Sequence, residues 1–392
     1  MHMLRTALLI AAWLCGVAAA LLTVWIVVPA PSFALFQVAV GASEWSLWFG
    51  AVGVLGACLS LLARGAGARR VGAWIAPLSL GVLAVGLALI PPFEAWRAAR
   101  ANDVGLSLGQ YLFGARSGAA SRVERRTETF AAVEGQTLKV DVYLPATEAT
   151  TGGRRPAMVV VHGGSWSAGE RSDYPLWNEW LAREGYAVFD IDYRLAPQPN
   201  LQAATGDVKC AVGWVKANAA RFGVDPARVA LYGRSAGGHL ALLVAYTSNE
   251  SALAPSCAAP DTTVRAVVSL YAPTDLKWGY EHPANRLVLD GPAKIRDFTG
   301  ATPTDAPERI RLASPNAHVD AQSPPTLLVH GGRDQLVRDV HMTLLADKLA
   351  EHHVPHRTLS IPYAQHAFDY NFHGWGSQLT RPVLLKFLRE HL

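Results

Sequence analysis

Residues 229–238 of the sequence read Val-Ala-Leu-Tyr-Gly-Arg-Ser-Ala-Gly-Gly. The apolar run Val229–Tyr232 predicts a buried strand, and the apolar residues that begin near Gly238 predict a helix. Ser235 lies at the tight turn between them, where glycines are needed on both sides because a Cβ would clash. Such a turn raises the serine hydroxyl above the sheet and places backbone N–H groups beside it. The stretch therefore indicates a nucleophilic serine, with an ordinary strand-to-helix turn as the alternative.

A second predicted strand, upstream of the first, runs directly into two glycines. Residues 159–166 read Val-Val-Val-His-Gly-Gly-Ser-Trp. Because Gly163 and Gly164 lack side chains, their backbone N–H groups can approach a ligand closely. Together with the N–H of Ala236 they would hold a developing oxyanion. The alternative is a plain Gly-Gly turn, and we expect His162 to be a structural hydrogen-bonding residue rather than a proton carrier.

A serine hydroxyl is a weak nucleophile unless a base accepts its proton, and that base needs an acid to orient it. After a serine turn of this kind, the expected chain order is Asp or Glu and then His. Asp334 follows the apolar run 326–329, and His366 follows the run 357–361. Both therefore lie at the carboxyl ends of predicted strands, where α/β sites form. The competing residues are two acids, Asp275 and Asp339, and two bases, His330 and His373.

The sequence after residue 121 alternates short β-branched runs with amphipathic segments. The predicted strands are 122–130, 136–143, 157–161, 187–191, 229–232, 264–270, 326–329 and 357–361, the first two forming a hairpin around Glu134-Gly135. The predicted helices are 174–184, 203–222, 238–247, 337–351 and 379–391. Buried strands without polar alternation, separated by helices, indicate an α/β fold with a mostly parallel sheet that is covered on both faces. We expect one catalytic domain over residues 122–392.

Five motifs follow one another along residues 130–392. They are His162–Trp166, Asp192-Tyr193-Arg194-Leu195-Ala196-Pro197, Gly233–Gly238, His330–Asp334 and His366-Ala367-Phe368. Together they resemble the α/β-hydrolase superfamily, and more narrowly its bacterial carboxylesterase and lipase branch, the hormone-sensitive-lipase-like and BD-FAE-type esterases. The resemblance implies an α/β-hydrolase fold and hydrolysis of carboxylic esters through an acyl-serine intermediate, without metal or organic cofactor. It also implies that Asp192 and Arg194 bond loops together.

Three apolar stretches without a charge precede this domain. Ala7–Val28, Trp45–Ala63 and Val71–Phe93 are each long enough to cross a bilayer as a helix. They predict a membrane region over residues 1–93, followed by a connector over 94–121. The alternative is that Met1–Ala30 is a cleaved signal peptide, but its apolar core is longer than usual and two further stretches follow.

Charge is unevenly distributed and indicates an orientation. Residues 1–100 carry six basic and two acidic side chains, and their excess equals the net charge of +4 of the whole chain. The neutral remainder does not favour nucleic-acid binding. Arg5 precedes the first stretch, and Arg64, Arg69 and Arg70 lie between the second and third, which favours a cytoplasmic N-terminus and an extracytoplasmic catalytic domain. Two arginines after the third stretch, at positions 97 and 100, oppose this orientation.

The four cysteines imply little by themselves. Cys15 and Cys58 lie inside apolar stretches, whereas Cys210 and Cys257 lie in the polar part and can form one disulfide in an oxidising compartment. No pair or cluster has the spacing of a zinc site, so we expect no metal.

The sequence is thus interpreted as a membrane-anchored serine carboxylesterase or lipase that acts on a small-molecule or lipid ester. We expect Trp166 to form a wall of the substrate pocket, unless its ring serves only in packing. One alternative is an amide hydrolase, a serine peptidase or formamidase, on the same fold. The other is a membrane-tethered binding protein without catalysis, which the complete Ser235, Asp334 and His366 set disfavours.

Overall fold

The computed structural model describes residues 2–68, 70–114, 123–145, 153–195 and 199–392. Three sequence-based expectations fall partly outside these ranges. They concern Arg69 as a cytoplasmic flank, the end of the connector at 115–121 with the first residue of the catalytic domain, and the Ala196-Pro197 end of one motif.

An eight-stranded, mostly parallel sheet forms the centre of the catalytic domain, as predicted. The strands are β1 Val123–Val133, β2 Gln136–Pro145, β3 Arg155–Val161, β4 Ala187–Ile191, β5 Val224–Arg234, β6 Ala266–Leu270, β7 Thr326–Gly331 and β8 His356–Ile361. Their order in the sheet is β1-β2-β4-β3-β5-β6-β7-β8. The β1–β2 hairpin is antiparallel, β2 is antiparallel to β4, and the other neighbours are parallel.

Helices cover both faces of the sheet. Those outside the β6–β7 connection are α7 Pro175–Arg183, α8 Leu201–Ala217, α9 Ala219–Phe222, α10 Ala236–Tyr246, α14 Val340–Glu351 and α15 Trp375–His391. Between β6 and β7 lie the helices α11 Leu276–Glu281, α12 Gly291–Thr299 and α13 Pro307–Leu312. One buried apolar layer joins the sheet to α8, α10 and α14, and a second joins the opposite face to α7 and α15. Strands β4, β6 and β7 are fully buried and β3 is buried from Ala157 onward, which explains why these segments show no polar alternation.

The first hundred residues form helices α1 His2–Thr23, α2 Phe33–Glu44, α3 Ser46–Gly65, α4 Val71–Ala88 and α5 Ile90–Ala101. Three helical segments are long and apolar enough to cross a membrane, His2–Ile26, Ser46–Gly65 and Val71–Ala101. Small residues let α3 and α4 approach closely. A Cβ at Gly53 would lie 2.9 Å from the carbonyl oxygen of Gly81, and a Cβ at Gly81 would lie 2.5 Å from that of Gly53. Close packing of this kind holds apolar helices together where lipid surrounds them.

The segment predicted only as a connector is mostly helical in its described part. Helix α5 continues directly from α4, and α6 Leu108–Phe113 follows. Ala95 and Tyr111 are buried in the apolar layer that also contains α15. The Tyr111 ring stacks on Trp375 of α15 with centroids 4.4 Å apart. The helices before residue 115 therefore form part of the packing of the catalytic domain.

Candidate active site

The turn between β5 and α10 holds Ser235 in an unusual backbone conformation. Its φ is 53°, in a region that non-glycine residues seldom adopt. The Ser235 N–H donates to the carbonyl oxygen of Leu270 on β6 at 2.9 Å. A Cβ at Gly233 would overlap the carbonyl of Gly237, and a Cβ at Gly237 would overlap that of Val161. The two glycines thus permit the sharp turn that presents the hydroxyl.

The imidazole of His366 lies between Ser235 and Asp334. Its Nδ1 is 2.6 Å from Asp334 Oδ2, and its Nε2 is 2.8 Å from Ser235 Oγ. The three residues follow β5, β7 and β8, so the carboxyl ends of parallel strands bring them together. An ionised carboxylate can only accept, so Nδ1 carries the proton and Nε2 accepts from the serine hydroxyl.

Asp334 is buried, and each of its two carboxylate oxygens has a hydrogen-bond partner. Oδ1 accepts from the backbone N–H groups of Leu336 at 2.8 Å and Val337 at 2.9 Å. Oδ2, which faces His366, also lies 3.3 Å from His330 Nε2. Burial by itself would raise the pKa of Asp334, but the two facing imidazoles outweigh it and hold that pKa well below its usual range. The carboxylate therefore stays charged and can stabilise a cationic His366.

The competing acids and bases have other positions. Asp275 caps α11 by accepting a backbone N–H of that helix at 2.9 Å, and Asp339 precedes α14. His330 Nε2 donates to the carbonyl oxygen of Val337 at 3.0 Å. His373 lies in the segment before α15. Within the described part of the chain, none of these four side chains is hydrogen-bonded to the candidate nucleophile.

Gly163, Gly164 and Ala236 lie beside Ser235. The two glycines line the same open cavity as Ser235 and His366. A Cβ at Gly163 would lie 3.3 Å from Ser235 Cβ, and Gly164 has a φ of 115° that favours glycine. Ala236 is the first residue of α10, so its N–H has no acceptor within the helix. The three predicted oxyanion donors are thus brought together in one place.

Trp166 lies in the wall of a narrow pocket that adjoins the open cavity and shares Ser235 with it. The side chain is buried, its ring stacks on Phe298 with centroids 4.4 Å apart, and its Nε1–H donates to His239 Nδ1 at 3.2 Å. Burial lowers the pKa of His239 to about 4, so this ring stays neutral and keeps an acceptor nitrogen for Trp166. Trp166 therefore both packs and lines the pocket.

A buried ion pair that the sequence analysis missed links the serine turn to the histidine loop. Arg234 Nε donates to Asp369 Oδ2 at 2.5 Å, and the Tyr271 hydroxyl donates to Asp369 Oδ1 at 2.5 Å. The Tyr271 ring lies 4.5 Å from the His366 ring. The pair therefore packs against the segments that carry both candidate catalytic side chains, Ser235 and His366. The sequence gives little indication of this pair, because Arg234 stands at a position of the Gly-x-Ser-x-Gly motif that any residue type can occupy.

The predicted loop contacts of Asp192 and Arg194 are also present. Arg171 donates to Asp192 Oδ2 at 2.8 Å, and Arg194 donates to Asp207 and to Glu134 at 2.8 Å each.

No group of three or more His, Cys, Asp or Glu side chains with the arrangement of a metal site occurs among the residues that the structure describes.

The BD-FAE family model matches residues 140–349, which is more than half of the chain. The chain belongs to the BD-FAE family. The matched region contains Ser235 and Asp334, and His366 follows it in the sequence. Two curated relatives in Mycobacterium tuberculosis are esterase LipQ, 32% identical over 56% of this chain, and esterase LipC, 34% identical over 55%. The alignments cover 51% and 53% of those proteins, so the chain spans about half the length of these relatives.

Solved structures of esterases share the fold of this BD-FAE member. An esterase of the Planctomycetes species Thermogutta terrifontis with bound butyrate superposes with a TM-score of 0.56 and 25% identity. The superposition covers 68% of this chain and 94% of that structure. Together with the eight-stranded sheet, this confirms the α/β-hydrolase fold that the sequence motifs predicted.

Proposed function

We propose that this BD-FAE member is a membrane-anchored serine carboxylesterase. The observation that carries the proposal is the hydrogen-bonded chain from Ser235 through His366 to the buried Asp334 carboxylate. Family membership and the esterase relatives support the reaction class. The Thermogutta terrifontis esterase is named for bound butyrate, and a carboxylic acid of that kind is the product class expected here.

In the proposed mechanism, Ser235 Oγ attacks the ester carbonyl carbon while His366 Nε2 takes the hydroxyl proton. Asp334 stabilises the resulting imidazolium. The tetrahedral oxyanion accepts hydrogen bonds from the backbone N–H groups of Gly163, Gly164 and Ala236, and each donor stabilises the transition state by about 3 kcal/mol. The C–O bond to the alcohol then breaks, and the alcohol leaves with the proton from His366. A water molecule, deprotonated by the same imidazole, attacks the acyl-enzyme. The acid leaves and Ser235 regains its proton.

An ester and amide pair with one acyl group tests the reaction class. We expect full-length protein in detergent to hydrolyse 4-nitrophenyl butyrate and to leave butyryl-4-nitroanilide almost untouched, because the amine is a much poorer leaving group. Preferential cleavage of the anilide would indicate an amide hydrolase instead. Turnover of neither compound, together with no labelling by a fluorophosphonate, would indicate a binding protein. The full chain is used because Ala95 and Tyr111 belong to the core of the domain.

We further propose three domain units: a membrane region over 1–93, a connector over 94–121 and a catalytic domain over 122–392. The basic residues Arg5, Arg64 and Arg70 support a cytoplasmic N-terminus. The disulfide between Cys210 and Cys257, with Cα atoms 5.4 Å apart, supports a catalytic domain in an oxidising compartment.

A pair of reporter fusions tests this topology. Three crossings place everything after the third span outside the cytoplasm, so a C-terminal alkaline-phosphatase fusion should be active and a C-terminal green-fluorescent-protein fusion dark. The reverse pattern would mean that one apolar helix does not cross, and that the catalytic domain is cytoplasmic.

A further inference from the structure

The loop between α1 and α2 is hydrogen-bonded to Arg333 and Gln335, the residues on either side of Asp334 in the sequence. The Arg333 guanidinium donates to the carbonyl oxygen of Ile26 at 3.1 Å. The backbone N–H of Ala30 donates to Gln335 Oε1 at 2.7 Å. The last residue of the first apolar helix is therefore bonded directly to the residue that precedes the catalytic acid.

Further hydrogen bonds extend this contact to the histidine loop. Asn285 Nδ2 donates to the carbonyl oxygen of Ala30 at 2.6 Å. Gln335 Nε2 donates to Oε1 of Gln365 at 3.1 Å, and Gln365 directly precedes His366. The loop between the first two apolar helices is thus built into the rim of the active site.

Phe33, the first residue of α2, forms part of that rim. It lines the open cavity together with Ser235 and His366, and with Leu289 and Leu336 beside them. A small apolar cluster behind it anchors the rim to the catalytic domain. Its buried members are Ala30, Phe36 and Val288, with Leu35, Val40 and Leu336 packed against them.

The exposed residues of the loop, and Phe33 at the start of α2, are apolar. Val27 is 36% exposed, Val28 43% and Phe33 48%. Because the helix that precedes them is long enough to cross a bilayer and ends at Ile26, these side chains come at the level of the membrane surface. Apolar residues at this depth are stable in contact with lipid but would be unfavourable in water.

The two spaces beside Ser235 differ in size. The narrow pocket at Trp166 has a volume of about 60 Å³, whereas the open cavity at Phe33 has about 350 Å³. The narrow pocket suits the smaller group of an ester. The open cavity has more room for a long hydrocarbon chain, and Phe33, which follows the loop after the first apolar helix, lines it.

From this placement we propose that the substrate is a lipid ester that resides in the bilayer, and that Phe33 is a specificity-determining residue. The long chain of the lipid passes Phe33 and stays in the membrane while its ester reaches Ser235. This inference rests on the proposed esterase function and on the proposed anchoring, and adds the substrate class and the route of entry.

Phe33→Ala tests the inference in vesicles of diether phosphatidylcholine, which contain no carboxylic ester of their own. Full-length protein is reconstituted, and kcat/KM is measured for 4-nitrophenyl palmitate and 4-nitrophenyl butyrate. The ratio of palmitate to butyrate should fall about tenfold in Phe33→Ala, because an apolar contact that only the long chain makes is lost. Phe33→Leu, which stays apolar, should keep the ratio near that of the native protein even if Phe33→Ala fails to fold.

Phe93→Ala is the matched control. Phe93 is an exposed phenylalanine of α5, 55% exposed and outside the cavity lining, so its removal should leave the ratio unchanged. Butyrate turnover with an unaltered ratio in Phe33→Ala would overturn the inference and leave the proposed function intact. Absence of turnover of both esters in the native protein would instead contradict the proposed function.

A second test uses the native protein and varies only the membrane in which the ester is supplied. The palmitate ester is placed either in the vesicles that hold the protein or in separate vesicles at the same total concentration. We expect rapid hydrolysis only when both share a bilayer, because the long chain leaves a membrane slowly. Equal rates in the two arrangements would show that the ester arrives through water, against the inference.

Discussion

Ser235→Ala is expected to abolish ester hydrolysis and labelling by fluorophosphonates. The change removes the oxygen that forms the acyl bond in the proposed mechanism, so kcat should fall by a factor on the order of 10⁶, the effect of losing the serine of a triad. The measurement is turnover of 4-nitrophenyl butyrate by full-length protein in detergent, beside gel detection of the probe.

The fold of this variant should be retained. The hydroxyl of Ser235 has His366 as its hydrogen-bond partner, whereas the turn itself depends on Gly233 and Gly237. The melting temperature should therefore shift by only a few degrees. Ser251→Ala, at an exposed serine, is the matched control and should keep both turnover and labelling. More than a few per cent of residual turnover in Ser235→Ala would refute the assignment of the nucleophile.

Much of the catalytic fold is local in the sequence, which is why it could be predicted. All eight strands were expected, and their ends differ from the predicted ones by a few residues, because short β-branched runs, several of them uninterrupted apolar runs, alternate with amphipathic segments. The serine turn was recognisable because Gly233 and Gly237 leave no space for a Cβ. The strands and the serine turn could therefore be predicted from residues that lie close together in the sequence.

Other features depend on contacts between distant parts of the chain. Helix α2 was missed because it looks like a loop between two spans, and α5 and α6 because the segment after Phe93 mixes charges with small residues. The bonds of Arg333 and Gln335 to the first hundred residues join positions about 300 apart in the sequence. No local periodicity encodes such a contact. The Arg234–Asp369 pair was hidden for the same reason.

Asp334→Asn should be nearly as damaging as loss of the serine, although it preserves the shape of the side chain. The backbone N–H groups of Leu336 and Val337 require an oxygen at the Oδ1 position, so the amide nitrogen of the variant must face His366 Nδ1. The imidazole then places its proton on Nε2 and can no longer accept one from Ser235. We expect a loss of about 10⁴ in kcat, the consequence of the wrong tautomer.

Asp275→Asn is the matched control for Asp334→Asn. It shows whether loss of kcat follows from removing any carboxylate that comes after a central strand, or only from removing Asp334. Asp275 follows β6 and caps α11, and asparagine caps helices about as well as aspartate, so both stability and kcat should change little. Steady-state kinetics and thermal melting of the two variants, measured side by side with the native protein, decide between the acids. An inactive Asp275→Asn beside an active Asp334→Asn would place the acid after β6 rather than β7. That outcome would require His366 to turn away from the buried carboxylate that it contacts at 2.6 Å.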